Sequence, residues 1–114
     1  MKREEFELIV EGLEKSRRNI LIQRNSNYST TNDSLHNFKV GAKIMGCTPA
    51  QCAWNYMTKH LVSLRDKVME NDFADENDLL EKVQDIQNYL TFIYAIAIEE
   101  SKDYTHTYMG AICK

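Results

Sequence analysis

Proline occurs once in this 114-residue chain and glycine four times, so the two strongest turn-makers are scarce. No segment alternates polar and apolar residues for long, which argues against half-buried strands. No apolar run approaches the roughly 20 residues that a membrane span needs. The three cysteines, Cys47, Cys52 and Cys113, are odd in number and form no CxxC pair. That pattern fits free thiols in a reducing compartment better than a disulfide framework. A zinc site built from Cys47, Cys52 and His60 would lack a good fourth ligand. Positive charge is also in deficit: 14 Lys and Arg stand against 17 Asp and Glu, a formal net charge of −3. This argues against a nucleic-acid coat and leaves room for a local basic pocket. The opening "MKREEFELIV" has no signal-peptide core after its charges, so the expectation is a cytoplasmic protein.

What the chain does contain is helical periodicity. Phe6, Ile9, Leu13 and Ile20 predict a first helix over about 3–25, ended by "RNSNYSTTND", whose Asn, Ser and Thr favour turns and caps. Leu35, Phe38, Ala42 and Met45 predict a second helix over 33–45. Gly41 beside that stripe suits a close helix contact, and Gly46 suits a left-handed C-terminal cap. "TPAQ" is the clearest local signal: Thr48 as N-cap, Pro49 in the first helical position and Gln51 completing a capping box. It opens a third helix over 49–70 with Ala50, Trp54, Met57, Leu61, Leu64 and Val68 as its buried stripe. Asp75 caps a fourth helix over 76–101, whose first turn carries Glu76 and Asp78. Four amphipathic helices with short links predict an all-α, four-helix bundle-like single domain over 1–101. The tail 102–114 is apolar enough to pack as an arm on its own or a neighbouring subunit.

The fourth helix is ambiguous about its sides. At about 100° per residue, Leu79, Val83, Ile86, Leu90, Ile93 and Ala97 share one side. Glu81, Asp85, Asn88 and Phe92 share the opposite one. "YLTFIYAIAI" is apolar nearly all round, which predicts burial on both sides and hence a subunit contact. Asp85 and Asn88 would mark the rim of that contact and need a partner there. Glu81 and Asp85 could share a divalent cation, although two-metal hydrolases use more acidic ligands. Glu4, Glu7, Glu11 and Glu14 in the first helix read as a solvated face.

A second stripe on the third helix, Tyr56, His60, Ser63 and Lys67 with Lys59 adjacent, carries residue types that hold phosphate and stack on bases. His36, Asn37, Lys39 and Lys43 on the second helix add to that inventory. The alternative reading of both sets is a polar helix flank.

"NYS", "NDSLHNFKVGAKIMGCTPAQ", "MTKHLVSLRD" and "EKVQDIQNYL" together resemble a group of small phage proteins similar to the nucleotide-modification-associated domain 1 family. More distantly the chain resembles all-α nucleotide pyrophosphohydrolases of the MazG and dimeric dUTPase type. The phage-group resemblance covers about residues 25–98. It implies an oligomeric helical bundle acting near nucleotides, with Tyr28, His36, Asn37, Lys59, His60, Asp85, Asn88 and Tyr89 as the residues that carry over. MazG-type enzymes hold magnesium with an ExxE motif and a following ExxD motif. Here the ExxE-like pairs lie in the first helix, and "EKVQD" has three residues between its acids. The resemblance therefore favours a binder over an enzyme. The first expectation is a non-catalytic nucleotide or cyclic-nucleotide sponge that needs no cofactor and sequesters a signal of host immunity, an anti-defence role in the bacterial cytosol. In it Lys43, Lys59 and His60 hold phosphate, Tyr28 or Tyr89 stacks on a base, and Asp85 with Asn88 reads ribose or base edges. The second is a magnesium-dependent hydrolase with Glu81 and Asp85 as metal ligands. The third is a structural or partner-binding bundle whose buried polar groups fix helix register.

Overall fold

A computed structural model describes residues 1–28 and 32–101, with side chains described throughout these except at 26–28. The described residues form an all-α, bundle-like unit: α1 (Arg3–Tyr28), α2 (His36–Met45), α3 (Pro49–Met69) and α4 (Glu76–Glu100). The expected C-terminal arm, the side chain of Tyr28 and Cys113 lie outside the described residues. None of the described helices is long and apolar enough to cross a membrane.

The helix ends follow local chemistry. The Thr48 hydroxyl accepts from the Gln51 N–H at 3.1 Å, and the Gln51 side chain accepts from the Thr48 N–H at 2.9 Å. That reciprocal pair satisfies two of the donors a helix start leaves open. Gly46 ends α2 in the left-handed region at φ 69°. The Asp75 carboxylate accepts from the Asp78 N–H and caps α4. Two boundaries differ from expectation. α2 starts at His36 because Asp33 forms a turn of its own, its carboxylate accepting from the Leu35 N–H and its carbonyl from the His36 N–H. α1 runs to Tyr28, and Asn25 near its end donates to the Ser34 carbonyl at 2.8 Å, fastening the helix to the segment before α2.

Leu35, Phe38, Ala42, Cys52, Ala53 and Ile96 form the buried core, with Tyr89, Phe92, Ile93 and Ala95 around it. α3 lies along α4, α2 packs on α3, and α1 meets α4. Arg17 donates to Thr91 and Arg24 to Asp85, so α1 and α4 run antiparallel. Charged ties close the ends: Lys67 of α3 binds Asp78 of α4 at 2.8 Å, and Lys39 of α2 binds Asp33 at 2.6 Å and also Glu99.

The inward side of α4 is not the expected one. Gln84, Asn88 and Ile96 are buried, spaced in multiples of four, while Leu90 is 52 % exposed and Ala97 is exposed. Because this helix is apolar on nearly every side, its periodicity does not choose the inner one. α2 and α3 choose it by offering Phe38, Ala42, Ala53 and Met57. Asn88 thus belongs to the interior of its own chain rather than to a rim between subunits. On α3 the buried residues are Cys52, Ala53 and Met57, whereas Trp54 and Val68 of the expected stripe are exposed. The smaller Cys52 and Ala53 let α2 approach, and Trp54 is turned outward. On α2 Met45 is exposed, and on α1 so are Phe6 and Ile9, because α1 meets α4 through its second half.

Gly41 shows how close α2 comes to α3. A Cβ there would lie 2.5 Å from the Tyr56 hydroxyl and 2.8 Å from Cys52 Sγ. Gly41→Ala should gain about 1 kcal/mol of helix propensity but lose about 1–3 kcal/mol to overpacking. The expected net loss is about 1 kcal/mol, or a fall in Tm of about 5 °C. Thr48→Ala, which only removes the cap, should cost about 1 kcal/mol. Denaturant melts check both, and a Gly41→Ala variant more stable than the parent would contradict the close contact.

Candidate functional site

The four helices converge on one cavity of about 300 Å³. Leu21, Arg24 and Asn25 of α1 and Ser34 of the connection form its mouth side. Asn37 and Phe38 come from α2, Tyr56 and His60 from α3, and Asp85, Asn88, Tyr89 and Phe92 from α4. Its floor is aromatic. Phe38 meets Phe92 at 4.9 Å between ring centroids, Tyr56 at 6.1 Å and Tyr89 edge-on at 6.4 Å. Tyr89 also lies 5.3 Å from the His60 ring, tilted by 35°.

Above that floor sits a small charged group. Arg24 Nη1 donates to Asp85 Oδ1 at 3.1 Å, and His60 Nδ1 lies 3.6 Å from Asp85 Oδ2. The Asp85 side chain is mostly buried, while that of Arg24 is half open to solvent. An ion pair with one partner so open contributes at most about 1 kcal/mol, so it can exchange partners at little cost. Next to it Asn88, only 7 % exposed, has a buried Oδ1 with no hydrogen-bond partner. Gln84 Nε2 and Gln87 Oε1 on the same helix share that condition. Leaving such a group unpaired costs about 1–3 kcal/mol. Of the three residues, Asn88 is the one that lines the cavity, so a ligand there could meet its need.

The cavity gathers Asn37, Tyr56, His60, Asp85, Asn88 and Tyr89, all expected from the sequence. His36, Lys43 and Lys59 are not among its walls; Lys43 and Lys59 are exposed. Lys39 and Lys67 are committed to carboxylates. Glu81 is exposed and is not a wall residue, while both oxygens of Asp85 face nitrogen groups rather than a second carboxylate. Among the described residues no three His, Cys, Asp or Glu are grouped to share a metal ion. Cys47 and Cys52 are free thiols. Arg24, the cavity's cation, was missed by sequence reasoning. The signal for it is its seven-residue spacing from Arg17, which puts both arginines on one face of α1 beside Ile20.

Burial, then the negative charge of Asp85, raise the Tyr89 hydroxyl above the ordinary tyrosine pKa, with Arg24 opposing. Tyr56 is raised too, first by its hydrogen bond with Cys52 and then by burial. The folded chain therefore holds these protons more tightly than the unfolded one. Their contribution is fully present below about pH 10, the unfolded tyrosine value, and is lost as pH rises through the folded values. Denaturant melts at increasing alkaline pH should show falling stability, with a shallower fall in Tyr89→Phe. An unchanged alkaline limb in that variant would place the loss elsewhere. No protein-family model matches the chain, and neither does any curated protein or solved structure, so the reading of this site rests on its own geometry.

Proposed function

We propose that the chain is a nucleotide-binding protein that holds its ligand without transforming it, a sponge among the small phage proteins that its sequence resembles. One observation carries the reading: a cavity with an aromatic floor, a cation at its mouth and a buried amide oxygen without a partner. Aromatic faces accept a base by stacking. The guanidinium of Arg24 suits phosphate, whose oxygens it can meet with paired donors. Asp85 accepts from ribose hydroxyls, and Asn88 Oδ1 accepts from a hydroxyl or an exocyclic amine. Of the expected phosphate holders Lys43, Lys59 and His60, His60 alone lines the cavity, and it faces Asp85, so phosphate holding passes to Arg24.

The hydrolase reading needs Asp85 to leave Arg24 and His60 and to join Glu81 around magnesium. The charge pairing of Asp85 favours the binder. Self-association belongs to the proposal as well. Leu90 and Tyr94 on α4 and Phe6, Leu8 and Ile9 on α1 are exposed, and a second copy of the chain would cover them.

Purified protein incubated with a panel of nucleotides, including cyclic dinucleotides and ADP-ribose derivatives, should show a raised Tm with at least one of them. Chromatography after denaturation should return that nucleotide intact. Magnesium-dependent conversion that disappears in Asp85→Asn would replace the binder with the hydrolase. Asn88→Leu separates binding from architecture. Removing an unpaired buried amide for an apolar side chain of similar size should leave stability unchanged or raised, while the ligand-induced shift is lost. A strongly destabilised Asn88→Leu that still binds would favour the register-fixing role instead. Light scattering at micromolar concentration should give more than one copy per particle, and a monomer would remove the self-association.

A further inference from the structure

The walls of the cavity carry a charge balance that bears on the class of nucleotide. Among the described residues that line it, Arg24 is the one Lys or Arg and Asp85 the one carboxylate. Lys39 is committed to Asp33 and Glu99 and Lys67 to Asp78, while Lys43 and Lys59 are exposed and are not wall residues. A triphosphate brings several negative charges to a site with one fixed cation and one fixed anion. A single phosphate group brings the least charge a nucleotide can carry: one unit as a cyclic diester, which one guanidinium can meet, and about two as a monoester. Size points the same way, because about 300 Å³ is at the lower end of the about 300–1,000 Å³ usual for small-molecule sites.

We propose that the cavity takes a nucleoside bearing a single phosphate group, as a monoester or a cyclic diester, and disfavours triphosphates. Arg24 is the residue that holds the phosphate, after exchanging its partner Asp85 for it. This deepens the nucleotide-binding reading and rests on it. The guanidinium leaves one oxyanion for another, while Asp85 keeps His60 beside it and gains ribose hydroxyls. Arg24 is suited to move, since its side chain is half open to solvent and projects from near the end of α1. Asp85, mostly buried, stays and repels any phosphate beyond the first.

Calorimetric titration of the full chain with the four ribonucleosides, their 5′-monophosphates, their 3′,5′-cyclic phosphates and their 5′-triphosphates, without metal, tests this. With the preferred base, the better of the two single-phosphate forms should bind about tenfold or more tighter than the nucleoside, as one charge-assisted hydrogen-bonded contact implies, and tighter than the triphosphate. The two single-phosphate arms tell monoester from cyclic diester. In Arg24→Gln the advantage over the nucleoside should vanish while nucleoside binding stays within about threefold, one charge-assisted contact being removed. In Asp85→Asn, which removes the repelling charge and keeps an amide, triphosphate binding should strengthen relative to the single-phosphate form. Circular dichroism verifies that both variants fold. A triphosphate that binds tightest, or an Arg24→Gln variant that keeps the phosphate advantage, overturns the inference and leaves nucleotide binding standing. Silence across this panel overturns the inference, and the nucleotide-binding reading falls with it when cyclic dinucleotides and ADP-ribose derivatives are silent as well.

Discussion

Phe38 is the side chain on which the rest of this arrangement depends. It reaches from α2 to one aromatic ring on α3 and two on α4, and it is both core and cavity floor. Its ring can sit there only because α2 comes close to α3, which Gly41 permits by leaving space for the Tyr56 hydroxyl and Cys52. Once Phe38 is fixed, the side of α4 that carries Asn88 and Phe92 must face inward, since that side supplies the rings it touches. Asp85 and Tyr89 follow on the same helix. α1 then adds Arg24 from across α4. The order of dependence runs from a missing side chain on α2, through an aromatic cluster, to the placement of a charged pair.

That order explains what could be read in the sequence. The caps at Thr48, Gly46 and Asp75 depend on residues within a few positions, so local chemistry identifies them. Gly41 was legible because a glycine beside an apolar helix stripe has few other uses. The inward side of α4 was not, because Leu90, Ile93, Tyr94 and Ile96 give it apolar residues in every direction; only the surfaces of α2 and α3 break the tie. The sequence brought forward Asn37, Tyr56, His60, Asp85, Asn88 and Tyr89 through residue type, helical spacing and family resemblance, and the fold collects them. Lys43 and Lys59 have the same residue chemistry but face solvent, since a helix flank can be polar without being part of a site. Arg24 was not legible because nothing local distinguishes it from Arg17 or Arg18; only the packing of α1 on α4 brings it to Asp85.

Among the described residues few large side chains are fully buried. Met57 and Cys52 are the largest fully buried side chains among the described residues, while Trp54, Ile44, Leu90 and Tyr94 are exposed. Scattered apolar residues at a surface are ordinary. With so few large side chains fully buried, the described residues alone supply modest hydrophobic stabilisation. Association through α4 would add to it. Leu90 and Tyr94 lie on the side of α4 away from its own core, so a partner there would not have to disturb the cavity.

Stability and binding pull against each other at Asn88. An apolar residue at that position would suit Phe38 and Phe92, with which it lines the cavity, and leave no orphaned oxygen. The amide is tolerable in the empty chain only because other contacts offset it, and it becomes satisfied when a donor enters the cavity. The same holds for the Arg24–Asp85 pair, whose half-open geometry contributes little to folding yet keeps a guanidinium beside the aromatic floor. A site built this way gains stability from its ligand in proportion to the groups left wanting without it. The nucleotide-retaining role proposed for the chain calls for that property.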